Sequence, residues 1–137
     1  MAFWLLKSEP SEWSWADQVK AGVSPWSGVR NPQALNNLRA MKKGERCFFY
    51  HTGNARAVAG TVTVAKEFYS EPADPTGKLG MIDAGAGVAM KTPVTLKAMK
   101  DEQALRGFAL LRQGRLSVVP VPQPMWRHIC RMGGITP

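Results

Sequence analysis

The chain has 137 residues, 45% of them hydrophobic, which is the size and composition of a single folded domain. Its 18 Lys and Arg against 10 Asp and Glu give a net charge of +8. This balance favours a nucleic-acid partner, because cationic side chains displace counterions from phosphates, although a solvated basic face is an open alternative. No apolar stretch suits a bilayer span and no signal-peptide pattern is present, so we expect a cytoplasmic monomer without a membrane partner.

The first predicted strand is the apolar run from Phe3 to Leu6, and four residues of different chemistry follow it, Lys7-Ser8-Glu9-Pro10. Pro10 lacks an amide donor and disfavours a helical conformation at Glu9, so the chain turns there. The three polar side chains therefore lie at a strand end, where a sheet can hold them in fixed directions. They can line a binding site or form a simple salt-bridge cluster.

A helix is predicted next, with Ser11 as its N-cap and an end near Ala21. An irregular loop, GVSPWSGVRNP, carries Trp26 beside a glycine, Arg30 and Asn31. An aromatic plane next to a close-approach glycine, with guanidinium and amide groups nearby, is how proteins grip a planar base. The alternative is that Trp26 only caps the core. Pro32 then begins a second helix that Gly44 closes.

The rest of the chain predicts more strands than helices. A hairpin is indicated by two β-rich runs, RCFFYHT and RAVAGTVTVAKEFY. A further strand is predicted for MIDAGAGVAMK, in which Gly85 and Gly87 imply a bulge or a close backbone approach. A short helix follows Thr95, and RLSVVPVP is an edge strand because Pro120 cannot donate to a ladder. PMWRHICRMGG indicates a last helix, ended by Gly133. The predicted class is α+β, with a curled or barrel-like sheet.

Several chemistries can be excluded from the sequence. Cys47 and Cys130 are isolated, so we predict reduced thiols, with neither a metal site nor a cofactor. The motifs of zinc deaminases and of phosphate-binding loops are absent. Cys47 and His51 share one strand face but lie about 13 Å apart along it, too far for a nucleophile and its base. We predict no catalytic residue. His51 is either a pocket residue or a hydrogen-bonded histidine at the rim of the fold.

Six segments, in this order, carry a family resemblance: WLLKSEP, WSGVRNPQALNNLRAMKKGERCFFYHTG, DPTGKLGMID, PVTLKAMK, LLRQGRLSVVPV and MGG. With them the chain resembles the EVE domain family along nearly its whole length, as one domain over residues 1–137. The resemblance implies a PUA-like fold, a curled mixed β-barrel with peripheral helices, similar to the YTH domain. It also implies binding of nucleic acid with a modified base, a modified cytosine in DNA or a modified RNA base, in an aromatic pocket.

The family motifs fall on Lys7–Pro10, on Trp26 to Asn31, on Tyr50 to Thr52, and on the segment from Arg112 to Ser117. The predicted base pocket consists of Lys7, Ser8, Glu9, Trp26, Ser27, Gly28, Val29, Arg30, Asn31, Tyr50 and His51. Trp26 would stack on the base, Ser8 and Asn31 would meet its polar edge, and Glu9 would accept from an amine or orient Arg30. The predicted phosphate contacts are Arg112, Arg115, Arg127 and Arg131, which lie in a stretch without acidic residues.

Two other functions remain open at this point. The related ASCH domains, which are also PUA-like, include amidohydrolases that act on an acylated cytidine through Lys, Thr and Glu. Lys7 with Glu67 or Glu9 would fill such roles here, although a useful base needs a shifted pKa that a sequence does not reveal. A module that binds a small anion or a protein is the third reading, and only the net charge supports it.

Overall fold

A computed structural model describes all residues, 1–137, as six strands interspersed with short helices. The strands are β1 (Phe3–Ser8), β2 (Val23–Trp26), β3 (Arg46–His51), β4 (Ala57–Ser70), β5 (Gly80–Thr95) and β6 (Val118–Val121). The helices are α1 (Trp15–Ala21), α2 (Pro32–Ala40), α3 (Leu96–Lys100), α4 (Ala109–Arg112) and α5 (Gln123–Gly133), with a 3-10 turn at Gln103–Leu105. The predicted α+β class is confirmed.

The strands form one mixed sheet in the order β2-β5-β4-β3-β1-β6. Only β1 and β3 are parallel, and Lys7 pairs with Tyr50 and Ser8 with His51 in that register. The other neighbours are antiparallel. Two edge strands, β2 and β6, remain unpaired on one side, so the sheet is curled without closing into a barrel. Pro120 lies in β6, an edge strand, as predicted.

The curl of the sheet is visible in a contact between strands that are not neighbours. Trp26 in β2 packs on Phe49 in β3 with ring centroids 5.5 Å apart, although β5 and β4 lie between these strands in the sheet. A flat sheet would separate the two strands by about 14 Å. Four register shifts along the β4–β5 ladder provide the bending, since bulges increase local twist.

Successive residues of β3 divide the core into two layers. Phe48 stacks on Trp126 of α5 with centroids 3.9 Å apart, whereas Phe49 points to the other face, toward Trp15 and Trp26. Both phenylalanines are fully buried. The helix α5 therefore covers the face of β3 opposite to the one that receives Trp26.

Three predicted elements need correction. Helix α1 begins at Trp15 and not near Ser11, because Ser14 is the N-cap and forms a reciprocal capping box with Asp17. Trp26 is not in an irregular loop: residues Val23–Trp26 pair with β5 as an edge strand. The start of α2 at Pro32 is confirmed, but the helix ends at Ala40, before Gly44.

Three further features agree with the predictions: the hairpin, the helix after Thr95 and the close approach at Gly87. The hairpin of β3 and β4 forms, α3 follows Thr95, and its N-cap is that residue. Gly87 makes the predicted close backbone approach, because a Cβ there would lie 2.8 Å from the carbonyl oxygen of Thr61. Cys47 and Cys130 are free, buried thiols, and burial raises the pKa of both, that of Cys130 to about 11. No helix combines the length and apolar character needed to span a membrane.

Candidate functional site

A cavity of about 530 Å³ opens where the end of β1 meets β2 and the segment that leads to α2. We call it the β1–β2 cavity. Its walls are formed by Lys7, Ser8, Glu9, Glu12, Trp13, Ser24, Pro25, Trp26, Ser27, Gly28, Val29, Arg30 and Ser117. The volume is that of a pocket for a small organic molecule or a single nucleotide base with its sugar. Predicted residues 7–9 and 26–30 thus meet in one concavity, through the curl of the sheet.

Trp26 belongs to the cavity wall and to the core at once. Only 7% of its surface is exposed, and its ring meets Phe49 edge-on at an interplanar angle of 88°. The next residues leave the strand, and Gly28 has a φ of +82°, a conformation that favours glycine. This turn exposes Ser27 and Arg30 at the cavity while Val29 stays buried.

Trp13 is a cavity residue that the sequence did not reveal. Its indole Nε1 donates to Oε1 of Gln18 at 2.9 Å, and Gln18 is fully buried. The same oxygen accepts from the Ser24 hydroxyl at 3.0 Å, and the Gln18 amide donates to the carbonyl of Ala84 at 3.0 Å. Gln18 therefore ties the Trp13 ring to α1, β2 and β5, and it fixes one aromatic wall.

The polar residues at the end of β1 are already engaged in hydrogen bonds. The Ser8 hydroxyl donates to the carbonyl of Trp13, so it is left with acceptor capacity toward the cavity. The Lys7 ammonium donates to the carbonyl of Gly114 at 2.8 Å, and burial lowers the pKa of Lys7. The Glu9 carboxylate accepts from the Thr52 hydroxyl at 3.2 Å and pairs with neither Lys7 nor Arg30, so no salt-bridge cluster forms.

Three residues predicted for the pocket do not line the β1–β2 cavity. Asn31 is the N-cap of α2, and its side-chain oxygen accepts from the backbone N–H of Ala34 at 3.0 Å. His51 accepts from the backbone N–H of Trp15 at 3.0 Å through Nε2 and lies against Phe49. Tyr50 is 4% exposed and lines a separate cavity. His51 is thus the satisfied rim histidine of the alternative reading.

The predicted phosphate-binding arginines divide between two places. Arg112 and Arg115 line a cavity of about 360 Å³ with Asn31 and Gln33. This Arg112–Arg115 cavity adjoins the β1–β2 cavity, because the walls continue from Arg30 to Asn31 and from Leu116 to Ser117. Arg127 and Arg131 lie on α5, on the opposite face of β3, and line neither cavity.

Charge differs on the two sides of the β1–β2 cavity. On the side away from Arg112, a cavity of about 450 Å³ shares residues 27–30 with it and contains the carboxylates Glu71 and Asp74. Hydrogen bonds from Leu79 and Thr76 lower the pKa of Asp74, so this loop stays anionic. The only ion pair within 4.0 Å is His128 with Glu102, which leaves every arginine without a carboxylate partner.

The amidohydrolase reading finds little support in the geometry. The Glu67 carboxylate accepts from the backbone N–H of Lys43 at 3.0 Å and does not line the β1–β2 cavity with Lys7. Glu9 does line it, but its carboxylate is exposed and already accepts a hydrogen bond from the Thr52 hydroxyl. No group of three or more His, Cys, Asp or Glu residues forms a candidate metal site.

The curled, mixed six-stranded sheet with short helices agrees with the fold that the family resemblance implied. The sequence pattern that defines the EVE domain matches residues 2–132, and the chain belongs to the EVE domain family. Human thymocyte nuclear protein 1 is 33% identical over 154 residues, an alignment that covers 88% of this chain and 68% of the human protein.

Solved structures agree with this assignment. The NMR structure of Rpa0253 from Rhodopseudomonas palustris has a TM-score of 0.93 at 43% identity, covering 98% of this chain and 94% of that one. The crystal structure of human THYN1 protein in complex with DNA containing 5-methylcytosine has a TM-score of 0.89 at 29% identity, with both chains covered completely. An ASCH protein from Zymomonas mobilis, at 10% identity and a TM-score of 0.57, covers 95% of this chain and 97% of its own and shares the fold alone.

Proposed function

We propose that this EVE domain binds DNA that contains a modified cytosine, with 5-methylcytosine as the first candidate, and that the β1–β2 cavity holds the base. The cavity itself is the observation that carries the proposal. It offers two tryptophans, a buried valine and several hydroxyls in a space of about 530 Å³. The complex of human THYN1 with DNA containing 5-methylcytosine supports the ligand class.

A base inside a duplex cannot reach such a cavity, so the nucleotide must leave the stack. Extrusion costs a few kcal/mol, and the protein has to offset this cost inside the pocket. Stacking on an aromatic side chain contributes about 1 to 3 kcal/mol per base. Trp13 and Trp26 together can therefore supply much of what base extrusion requires.

Polar groups of the cavity match the edge of a cytosine. Its exocyclic amine is a donor, and the Ser8 hydroxyl, which already donates to Trp13, is left as an acceptor toward the cavity. The Glu9 carboxylate is a second acceptor. Val29 presents an apolar surface of the kind that contacts the methyl group of thymine, and a 5-methyl group on cytosine is its chemical equivalent.

The phosphate path follows from the distribution of charge. Arg30 stands at the β1–β2 cavity, Arg112 and Arg115 line the adjoining one, and Glu71 and Asp74 repel phosphates on the other side. We therefore place the DNA backbone over Arg112 and Arg115. Arg127 and Arg131, on the far face, receive no role in this path.

The test is a binding comparison that changes the modification alone. Fluorescence anisotropy with oligonucleotides of one sequence, containing cytosine or 5-methylcytosine, should give tighter binding of the modified strand. RNA of the same sequence and other cytosine modifications form the remaining arms. Equal affinity for all modified and unmodified probes over a salt series would reduce the protein to a non-specific binder and refute the proposal.

A further inference from the structure

A small cavity beside the β1–β2 cavity has no role in the function proposed above. Its volume is about 190 Å³, and it shares only Lys7 with the larger cavity. Tyr50, Thr52 and Arg56 complete its polar wall, while Leu96 and Leu110 form the apolar side. We call it the Tyr50 cavity.

The Tyr50 hydroxyl is a free hydrogen-bond donor at the wall of this cavity. Only 4% of the surface of Tyr50 is exposed, and its hydroxyl makes no hydrogen bond to another residue. The hydroxyl is not sealed in the core, since it keeps access to the cavity. Burial raises the pKa of Tyr50 and the charge of Arg56 opposes the shift, so the phenol remains a neutral donor.

Two cationic side chains of the same cavity, Lys7 and Arg56, have no carboxylate partner. The Lys7 ammonium uses one donor on the carbonyl of Gly114, at 2.8 Å, and keeps two. Arg56 donates from Nε to the carbonyl of Gly53 at 3.1 Å, which leaves the terminal nitrogens of the guanidinium free. Neither has a carboxylate within 4.0 Å, and the nearby Glu9 carboxylate is bound to the Thr52 hydroxyl.

The backbone of Arg56 is held in an uncommon conformation. Its φ is +42°, which makes it the only residue other than glycine with a positive φ. The carbonyl of Arg56 accepts from the N–H of Leu96 at 2.7 Å, which fixes the residue between the hairpin turn and the end of β5. Strain of this kind persists where the surroundings over-determine it, and such positions cluster at ligand sites.

We propose that the Tyr50 cavity binds a phosphate-type oxyanion, with Lys7, Tyr50 and Arg56 as donors. The ligand is either free phosphate or a phosphate of a bound nucleic acid, and both present the same chemistry to these donors. This site does not depend on the proposed recognition of a modified base, because phosphate binding can be measured without DNA.

The first experiment measures thermal unfolding in sodium phosphate and in sodium chloride at equal ionic strength and pH. A ligand that binds only the folded state raises the unfolding temperature, so phosphate should stabilise the wild type more than chloride does. Tyr50→Phe should weaken phosphate binding about 2- to 10-fold and Arg56→Ala about 10- to 100-fold. Tyr50→Phe should leave stability in chloride unchanged, since the hydroxyl has no protein partner.

Arg106→Ala is the matched control, because Arg106 is exposed and lies outside the Tyr50 cavity. It should retain full stabilisation by phosphate. Phosphate stabilisation that is equal in wild type, Tyr50→Phe and Arg56→Ala overturns the proposal, and so does a loss of the same size in Arg106→Ala.

A second arm separates the two sources of the anion. If it belongs to DNA, phosphate competes with an oligonucleotide, and Arg56→Ala lowers the salt slope of DNA binding by about one. If it is free phosphate, the slope is unchanged and phosphate binding persists beside DNA. Absence of phosphate stabilisation in the wild type, combined with an unchanged slope in Arg56→Ala, contradicts both sources and ends the proposal.

Discussion

The indole of Trp26 meets the ring of Phe49 edge-on, with centroids 5.5 Å apart, across two intervening strands of the sheet. Trp26 therefore supports the curl of the sheet from inside the core, and its remaining exposed edge faces the β1–β2 cavity. The sequence left two roles open for this tryptophan, a stacking surface for a base or a core residue. In the structure Trp26 is buried in the core and also lines the cavity.

We expect Trp26→Ala to lose about 3 to 5 kcal/mol of unfolding free energy, the usual effect of truncating a large buried aromatic side chain. In the fraction that stays folded, affinity for 5-methylcytosine DNA should fall by about 5- to 150-fold. Urea unfolding and anisotropy on the same protein separate the two effects. Trp26→Phe should recover part of each, and a folded Trp26→Ala protein that discriminates the modified base as well as wild type would exclude a stacking role.

Substitution of Trp13 should affect binding more than stability, because Trp13 is only half-buried. Trp13→Ala should cost binding of the modified strand about 5- to 150-fold, with a smaller loss of stability than Trp26→Ala. Trp15→Ala is the control: this tryptophan is also half-buried, but it packs on Gly60 and Phe49 and does not line the β1–β2 cavity. Equal loss of discrimination in Trp13→Ala and Trp15→Ala would assign both effects to folding.

Local sequence signals predicted much of the fold. The apolar runs of β1 and β3 are strands, Pro32 begins α2, and Pro120 lies on an edge strand. The true start of α1 was also readable, because Ser14 and Asp17 have the spacing of a capping box. The signal at Ser11 is less specific, since a serine alone is a common loop residue as well as a cap.

The strand β2 and five of the 13 cavity residues could not be predicted in this way: Glu12, Trp13, Ser24, Pro25 and Ser117. Val23–Trp26 is short and contains Pro25, and only its pairing with β5 makes it a strand. Ser117 meets Ser8 at the cavity because β6 runs beside β1, a relationship that no local pattern encodes. His51 was misplaced for the same reason, because its hydrogen bond to the backbone of Trp15 is tertiary. Asn31, by contrast, stands directly before Pro32 and carries the local signal of an N-cap.

Among the polar residues near the cavity, Gln18 should be the one whose substitution lowers stability most. Its side chain satisfies Trp13, Ser24 and the backbone at Ala84 from a fully buried position. Gln18→Met keeps the volume but leaves these partners unpaired, so we expect a loss of about 2 to 4 kcal/mol in urea unfolding. Gln18→Glu should be worse, because an acceptor then faces the Ala84 carbonyl. A loss below about 1 kcal/mol in both variants would show that water replaces the amide.

Stability should depend on pH through His51. Its Nε2 accepts a hydrogen bond from the backbone N–H of Trp15. Burial lowers the pKa of His51 in the folded protein, and the charge of Glu9 opposes this shift only in part. The unfolded chain, with its ordinary pKa of 6.5, then binds protons more readily. The contribution of His51 is present above that value and is lost as the pH falls through the lower pKa of the folded state.

Urea unfolding between about pH 7.5 and 5 measures this contribution. His51→Gln retains an acceptor for the Trp15 N–H without a titrating group, so its stability should vary less with pH than that of the wild type. If both proteins lose stability in parallel as the pH falls, His51 is not the source.

The arginines provide the last prediction, because the structure separates two pairs that the sequence grouped together. Arg112 and Arg115 line a cavity next to the β1–β2 cavity. Helix α5 begins just after β6, whose last residue, Val121, pairs with Phe3 at the end of β1 that is remote from Lys7. Arg127 and Arg131 then lie on the face of β3 that Trp126 covers. The proposed phosphate path therefore runs over the first pair, which adjoins the β1–β2 cavity, and not over the second.

Arg112→Ala and Arg115→Ala should each weaken modified and unmodified DNA alike and lower the salt slope of binding by about one. Discrimination between cytosine and 5-methylcytosine should survive, because phosphate contacts position the strand and do not read the base. Arg127→Ala and Arg131→Ala are matched controls of equal charge change, and their slopes should equal that of the wild type. Slopes lowered only by the α5 variants would move the phosphate path to the opposite face of the sheet and disconnect it from the β1–β2 cavity.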